Sequence, residues 1–236
     1  MTTRYAVYFA PAEAALLWQA GCRWLGRDPR SGAELLQPDV DGWPAERVAQ
    51  ITASPRMYGF HATLKPPFRL AEGQTLEQLG AAIQLLAARI QAFAVPQLSV
   101  ASLDGFLALR PAAYDAKLGA LADACVAELD SFRRLASPAE LLQRRAARLS
   151  PRQAELLAQF GYPYVLDQFR FHMTLTELLP RTEANLLGPW LRHYFAAAVA
   201  MPLCCEDLCL FVQDGPGEAF LLLERFPLDS RQARLR

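Results

Sequence analysis

Two stretches decide how this chain is read: Tyr58-Gly59-Phe60-His61-Ala62-Thr63-Leu64-Lys65 and Arg170-Phe171-His172-Met173-Thr174-Leu175-Thr176. Both contain Phe-His-x-Thr-Leu with an apolar x, and together they hold two of the chain's 3 histidines. Composition alone produces such a match on the order of once in a thousand chains of this kind. Alternate residues of a β-strand face opposite sides. Phe60, Ala62 and Leu64 then point into a core, while His61 and Thr63 point out; in the second copy Phe171, Met173 and Leu175 point in, and His172 and Thr174 out. The same parity adds Gly59 and Lys65 to the first outward face, and Arg170 and Thr176 to the second.

The residues on either side alternate between strand and helix signals. Residues 4–9 read as a strand, and Pro11 opens an Ala/Leu/Trp-rich helix that Gly26 stops. Residues 27–55 are loop-rich, with one short helix over 44–51. The first motif strand covers 57–65 and is closed by Pro66-Pro67. A helix over 75–93 follows from the spacing of Leu76, Leu79, Ile83, Leu86 and Ile90. Strands over 95–103 and 106–109 flank Asp104-Gly105, a hairpin turn. After a helix over 114–135, Ser137-Pro138 and Ser150-Pro151 each open another, with Glu140 and Gln153 placed for capping boxes. This helical insert, about 135–165, ends at Gly161-Tyr162-Pro163 and is positioned to narrow the cleft. The second motif strand (168–178), a helix (182–197) and strands at 203–212 and 219–226 complete the chain.

The order strand, helix, motif strand, helix, strands thus occurs in duplicate, with the motif strands in equivalent places. The predicted fold class is α+β: one domain over residues 1–236, built of two pseudo-symmetric lobes, with antiparallel sheets forming a central cleft and helices outside. A chain of 236 residues, 53% hydrophobic and 20% charged, has the material for a full core, which excludes disordered, collagen-like and coiled-coil classes. Its 24 basic and 24 acidic residues argue against holding nucleic acid by bulk charge. RNA is therefore the disfavoured partner and a small-molecule phosphate ester the favoured one. The best apolar stretch, residues 195–205, is short and broken by Pro202, so no membrane partner is expected. The first eleven residues make a poor signal peptide, and the 5 cysteines include no CxxC pair, which favours reduced thiols and a cytoplasmic setting. Oligomeric state stays open.

Convergence of the two outward faces on one cleft brings together two imidazoles, the hydroxyls of Thr63 and Thr174, and the cations Lys65 and Arg170. That set suits a phosphate group. A neutral imidazole takes a proton from the attacking water or hydroxyl while a protonated one gives a proton to the leaving oxygen. Thr63 and Thr174 donate to non-bridging oxygens, and Lys65 and Arg170 offset charge that builds in the transition state. Neither HExxH nor a Cys/His cluster occurs, so no metal or other cofactor is expected. Tyr5 and Tyr8 are both candidates to reach the cleft from the first strand. His193 reads as structural, and Arg144, Arg145 and Arg148 as a solvated helix face.

These residues resemble the 2H phosphoesterase superfamily, named for two His-x-Thr/Ser motifs in a duplicated, bilobal α+β fold. Residues 4–11, 58–68 and 169–176 look more closely like the DUF1045 family, whose members are often encoded with phosphonate-utilisation genes. The superfamily resemblance implies metal-independent hydrolysis or transfer at cyclic or strained phosphodiesters, with His61 and His172 as acid and base and Thr63 and Thr174 on the phosphate. The branch implies a link to phosphonate metabolism. The alternatives are an RNA-end 2′,3′-cyclic phosphodiesterase and a non-catalytic phosphate-ligand binder.

Overall fold

A computed structural model of the chain describes residues 3–136 and 149–230. Its nine strands are β1 (Arg4–Phe9), β2 (Ala62–Phe68), β3 (Phe93–Val95), β4 (Leu98–Leu103), β5 (Phe106–Pro111), β6 (Met173–Thr174), β7 (Leu203–Cys205), β8 (Asp207–Gln213) and β9 (Leu221–Pro227). The described helices are α1 (Leu16–Leu25), α2 (Ala45–Tyr58), α3 (Leu76–Ala87), α4 (Ala116–Glu128), α5 (Pro151–Phe160) and α6 (Arg181–Ala200). The fold is α+β, as expected. The helix read from Ser137, and the arginines at 144, 145 and 148, lie outside the described residues.

Seven strands form one antiparallel sheet in the order β4-β5-β6-β2-β1-β8-β9, and β3 pairs with β7 in a separate ribbon. The two motif strands are therefore neighbours at the centre. Instead of separate sheets facing across a cleft, the described residues make one unbroken sheet whose middle seam, between β2 and β6, is the pair Ala62 and Met173. Outward from that seam the order is β2-β1-β8-β9 on one side and β6-β5-β4 on the other.

The inward faces of the motifs pack as read: Phe60, Ala62, Leu64, Phe171, Met173 and Leu175 are all buried in the main core. α1 and α6 cover this face. Phe60 stacks on Phe195 of α6, and Trp24 of α1 sends its indole N–H to the Leu175 carbonyl at 2.8 Å. The hairpin turn holds Asp104 and Gly105 at φ 48° and 100°, the left-handed pair that a two-residue turn of this type requires. Thr75 and Ser150 form the capping boxes of α3 and α5.

Three local departures shape the site. The short helix read over 44–51 continues to Tyr58, through Pro55. Pro55 has no N–H for the Ile51 carbonyl, and that carbonyl accepts instead from the Glu177 N–H at 2.7 Å, which ties α2 to the chain just past the second motif. β2 does not stop at Pro66-Pro67 but runs to Phe68, because a register irregularity between Val7↔Lys65 and Tyr5↔Phe68 absorbs the extra residue and the missing donors. β6 is two residues long rather than spanning 168–178. Side chains take the backbone groups that a ladder would use: Trp24 binds the Leu175 carbonyl, and the Thr176 hydroxyl accepts from the Leu107 N–H at 3.0 Å.

The tightest packing behind the first motif is at Gly21, where an added Cβ would sit 2.2 Å from the Phe60 ring. Phe60 is fully buried and has nowhere to go. Gly21→Ala is expected to destabilise the protein by about 1–3 kcal/mol through overpacking, read as a lower urea midpoint at unchanged slope.

Candidate active site

The register of the central seam sets the geometry. Ala62 and Met173 are the one ladder pair; extended one residue each way, to the histidines just outside the two strands, that register sets Thr63 opposite His172 and His61 opposite Thr174. Directly opposed residues have Cβ atoms about 5 Å apart, so the two motifs form one square of alternating imidazole and hydroxyl. All four side chains line a single cavity of about 740 Å³. Its walls come from the end of α2, from Val126 of α4, and from α5 with the following residues up to Val165. Residues from 149 to 165, the described part of that stretch, line one side of this cavity.

Both histidines are oriented by the same device. His61 Nδ1 donates to the Gly59 carbonyl at 2.9 Å, and His172 Nδ1 donates to the Arg170 carbonyl at 2.7 Å, in each case two residues back. A carbonyl can only accept, so Nδ1 carries the proton and Nε2 is the working nitrogen of both rings. The Thr63 hydroxyl donates to His61 Nε2 at 3.2 Å.

Gly59 makes the first of these bonds possible. Its φ of 81° and ψ of 176° suit glycine alone, and a Cβ there would meet Pro29 at 2.7 Å. Arg27, buried across the sequence from it, donates to the Arg56 carbonyl at 3.0 Å and to the Phe220 carbonyl at 2.6 Å, holding the end of α2 in place. Nothing local in the sequence marks Arg27 for this role.

Burial dominates the electrostatics. It lowers the His61 imidazole to about 4, with the nearby His172 adding to the shift and the bond to Gly59 opposing it. His172 is also lowered, chiefly by burial, with Arg110 and Arg170 adding and the Arg170 carbonyl and Asp104 opposing. The empty site therefore favours two neutral rings, His61 the more strongly.

Of the two predicted cations, one reaches the cavity. Lys65 lines it but is 2% exposed, with Nζ 3.2 Å from the Val126 carbonyl and 3.3 Å from Asp130 Oδ1. The irregular pairing between Val7↔Lys65 and Tyr8↔Thr63 breaks the simple alternation that placed Lys65 beside Thr63. Burial pulls its ammonium down to about 8, against the pull of Asp130. For Asp130 burial acts upward, but the hydrogen bonds from Arg133 and the charge of Lys65 prevail and hold its carboxyl below the ordinary value. Arg170 stands apart from the cavity, half exposed and 3.3 Å from Asp104 Oδ2. Thr176 lines the cavity, yet its hydroxyl is engaged by Leu107 and Glu177. Between the two first-strand tyrosines the choice falls on Tyr8, whose ring stacks on His61 at 3.7 Å. His193 lies exposed on α6. Among the described residues no cluster of three or more His, Cys, Asp or Glu side chains is placed to hold a metal ion, and no helix is long and apolar enough to cross a membrane.

Residues 63–221 match the family described as Protein of unknown function (DUF1045). The chain belongs to the DUF1045 family. Over 236 residues it is 38% identical to a ribose 1,5-bisphosphate phosphokinase PhnN of Janthinobacterium sp. (strain Marseille), covering 98% of this chain and 52% of that protein. Over 222 residues it is 40% identical to a protein of the same name in Laribacter hongkongensis (strain HLHK9), covering 93% and 50%. This DUF1045 chain thus spans about half the length of the curated relatives it matches. Among solved structures, one described as a phosphoesterase aligns over 97% of this chain and 99% of its own at TM-score 0.42 and 13% identity. A conserved protein of unknown function from Agrobacterium tumefaciens str. C58 aligns over 96% and 87% at TM-score 0.37 and 11% identity.

Two outcomes are expected. Gly59→Ala should lower the urea midpoint, because its backbone conformation costs an alanine about 1–3 kcal/mol. An unfolded imidazole takes a proton near pH 6.5, whereas folded His61 stays neutral down to about 4. The unfolded chain binds more protons between those values, so this contribution is complete above about pH 6.5 and is lost as the pH falls toward 4. Urea midpoints at pH 7 and pH 5 should differ less in His61→Gln than in the parent protein.

Proposed function

We propose that this protein is a metal-independent phosphodiesterase acting on a cyclic or strained small-molecule phosphodiester by two-histidine general acid–base catalysis. One observation carries the reading: the square of His61, Thr63, His172 and Thr174 on the floor of one cavity, with both Nδ1 atoms held by backbone carbonyls. The chain acts in this reading as a single domain of two pseudo-symmetric lobes meeting at the β2–β6 seam, the arrangement of the 2H superfamily.

The asymmetry in burial favours one assignment of the roles. His61, the more strongly lowered, is the base: its Nε2 takes a proton from water as the water oxygen bonds to phosphorus. The bond from phosphorus to the leaving oxygen breaks, and His172 Nε2–H gives that oxygen its proton. The product is a ring-opened phosphomonoester, and the two rings return to their starting states by exchange with solvent. The anionic substrate raises both imidazoles, offsetting their depression in the empty cavity. When substrate binds, the Thr63 hydroxyl turns from His61 Nε2 to a non-bridging oxygen, freeing that nitrogen for the water, and Thr174 donates to the other. Lys65 contributes positive potential from the wall, and Arg170 acts on the phosphate only from the flank, through its charge near His172. The matched relatives are named for a ribose bisphosphate, and that favours a phosphoribosyl ester as the substrate class and agrees with a role in phosphonate metabolism.

Purified protein should open phosphoribosyl or nucleoside cyclic phosphates with a bell-shaped pH–rate profile that persists in EDTA. His61→Ala and His172→Ala should each lower kcat by about 10²–10⁴-fold while binding inorganic phosphate within a few-fold of the parent. Full turnover in either variant contradicts the mechanism, and phosphate binding without turnover in the parent makes the protein a binder instead. A requirement for RNA ends, with steep salt dependence, would shift the substrate class.

A further inference from the structure

Tyr8 is fully buried, and its hydroxyl has no hydrogen-bond partner among the described residues. A buried donor left unmade is destabilising, so the group calls for a reason. Its position supplies one. Tyr8 is paired with Thr63 across β1 and β2, and both line the cavity with His61 and His172. The ring lines the cavity and stacks on His61, 3.7 Å between centroids. Tyr58, also in the lining, has its ring 6.4 Å from His61. Tyr162 comes from the residues after α5 and lines the same cavity. Four of the chain's 7 tyrosines (8, 58, 162 and 164) line this one space.

The hydroxyls suited to a phosphoryl group are those of Thr63 and Thr174, between the two imidazoles. The Tyr8 phenol lies one strand farther out, on β1, against the His61 ring. We infer that Tyr8 is a specificity-determining residue, its hydroxyl donating to an oxygen of the hydroxylated, non-phosphoryl part of the substrate. The inference rests on the phosphoryl site proposed above. Stacking gives the same residue a second effect, since the ring that reads the substrate also fixes the plane of His61.

Tyr8→Phe separates these roles because it keeps the ring and removes the oxygen. A hydroxyl waiting for substrate contributes nothing to the empty fold, so the melting temperature of Tyr8→Phe should equal or exceed that of the parent. Calorimetric titration should show inorganic phosphate binding within twofold of the parent and ribose 5-phosphate binding about tenfold more weakly. Equal affinity for both probes in parent and variant overturns the inference. So does a parallel loss for both, which would put Tyr8 in the phosphoryl site, or a melting temperature lower by several degrees with both affinities kept, which would make the hydroxyl structural. Failure of the parent protein to bind either probe overturns the phosphoryl site itself, and with it this assignment.

Discussion

One backbone pairing governs this molecule: Ala62 against Met173, at the seam of the seven-stranded sheet. Antiparallel register leaves no freedom once that pair is set, so a slip of one residue would turn every motif side chain to the other face. The buried anchors make such a slip costly. Phe60 is wedged between Gly21 and Phe195, and Leu175 is tied through its carbonyl to Trp24. The same core that stabilises the fold therefore fixes which nitrogen and hydroxyl groups share the cavity.

The charge of that cavity lies in its walls rather than on the two imidazoles at its floor: Arg4, Lys65, Arg69, Arg133 and Arg134 line it against one carboxylate, Glu177. Burial disfavours charge on both imidazoles, and Lys65 is held by Asp130, itself clamped by Arg133 at 2.8 and 2.9 Å. Such a site attracts an anion through its basic walls. It gains from an anion by restoring the protonated imidazole that the empty protein suppresses, which links ligand charge to catalytic state. The neutral overall charge of the chain fits a small ligand enclosed by the cavity better than a polyanion lying across the surface.

The outline of this arrangement was legible in the sequence because alternation on a buried sheet face is a strong constraint. The identities at 60, 62 and 64, and at 171, 173 and 175, assign the faces without any knowledge of neighbours. What escaped depends on distant partners. Pro55 reads locally as a helix breaker, yet its freed carbonyl acceptor is taken by Glu177, 126 positions beyond Ile51 along the chain by their numbers. Pro66 and Pro67 read as a stop, but an irregular partner strand accommodates them. Parity placed Lys65 and Arg170 in the cleft; Lys65 does line the cavity, with its ammonium paired to Asp130, whereas Arg170 pairs with Asp104 outside it, and strand periodicity reveals neither carboxylate. Tyr5 and Tyr8 were both open as candidates until the register with β2 put Tyr8 opposite Thr63.

With only 3 histidines, the chain permits a direct test of a shared phosphoryl site by proton NMR of the imidazole rings. Titration with inorganic phosphate should move the ring resonances of His61 and His172 together, over one concentration range, and raise both apparent pKa values while the exposed His193 stays unchanged. A response from one of the pair without the other, or from neither, would contradict the account.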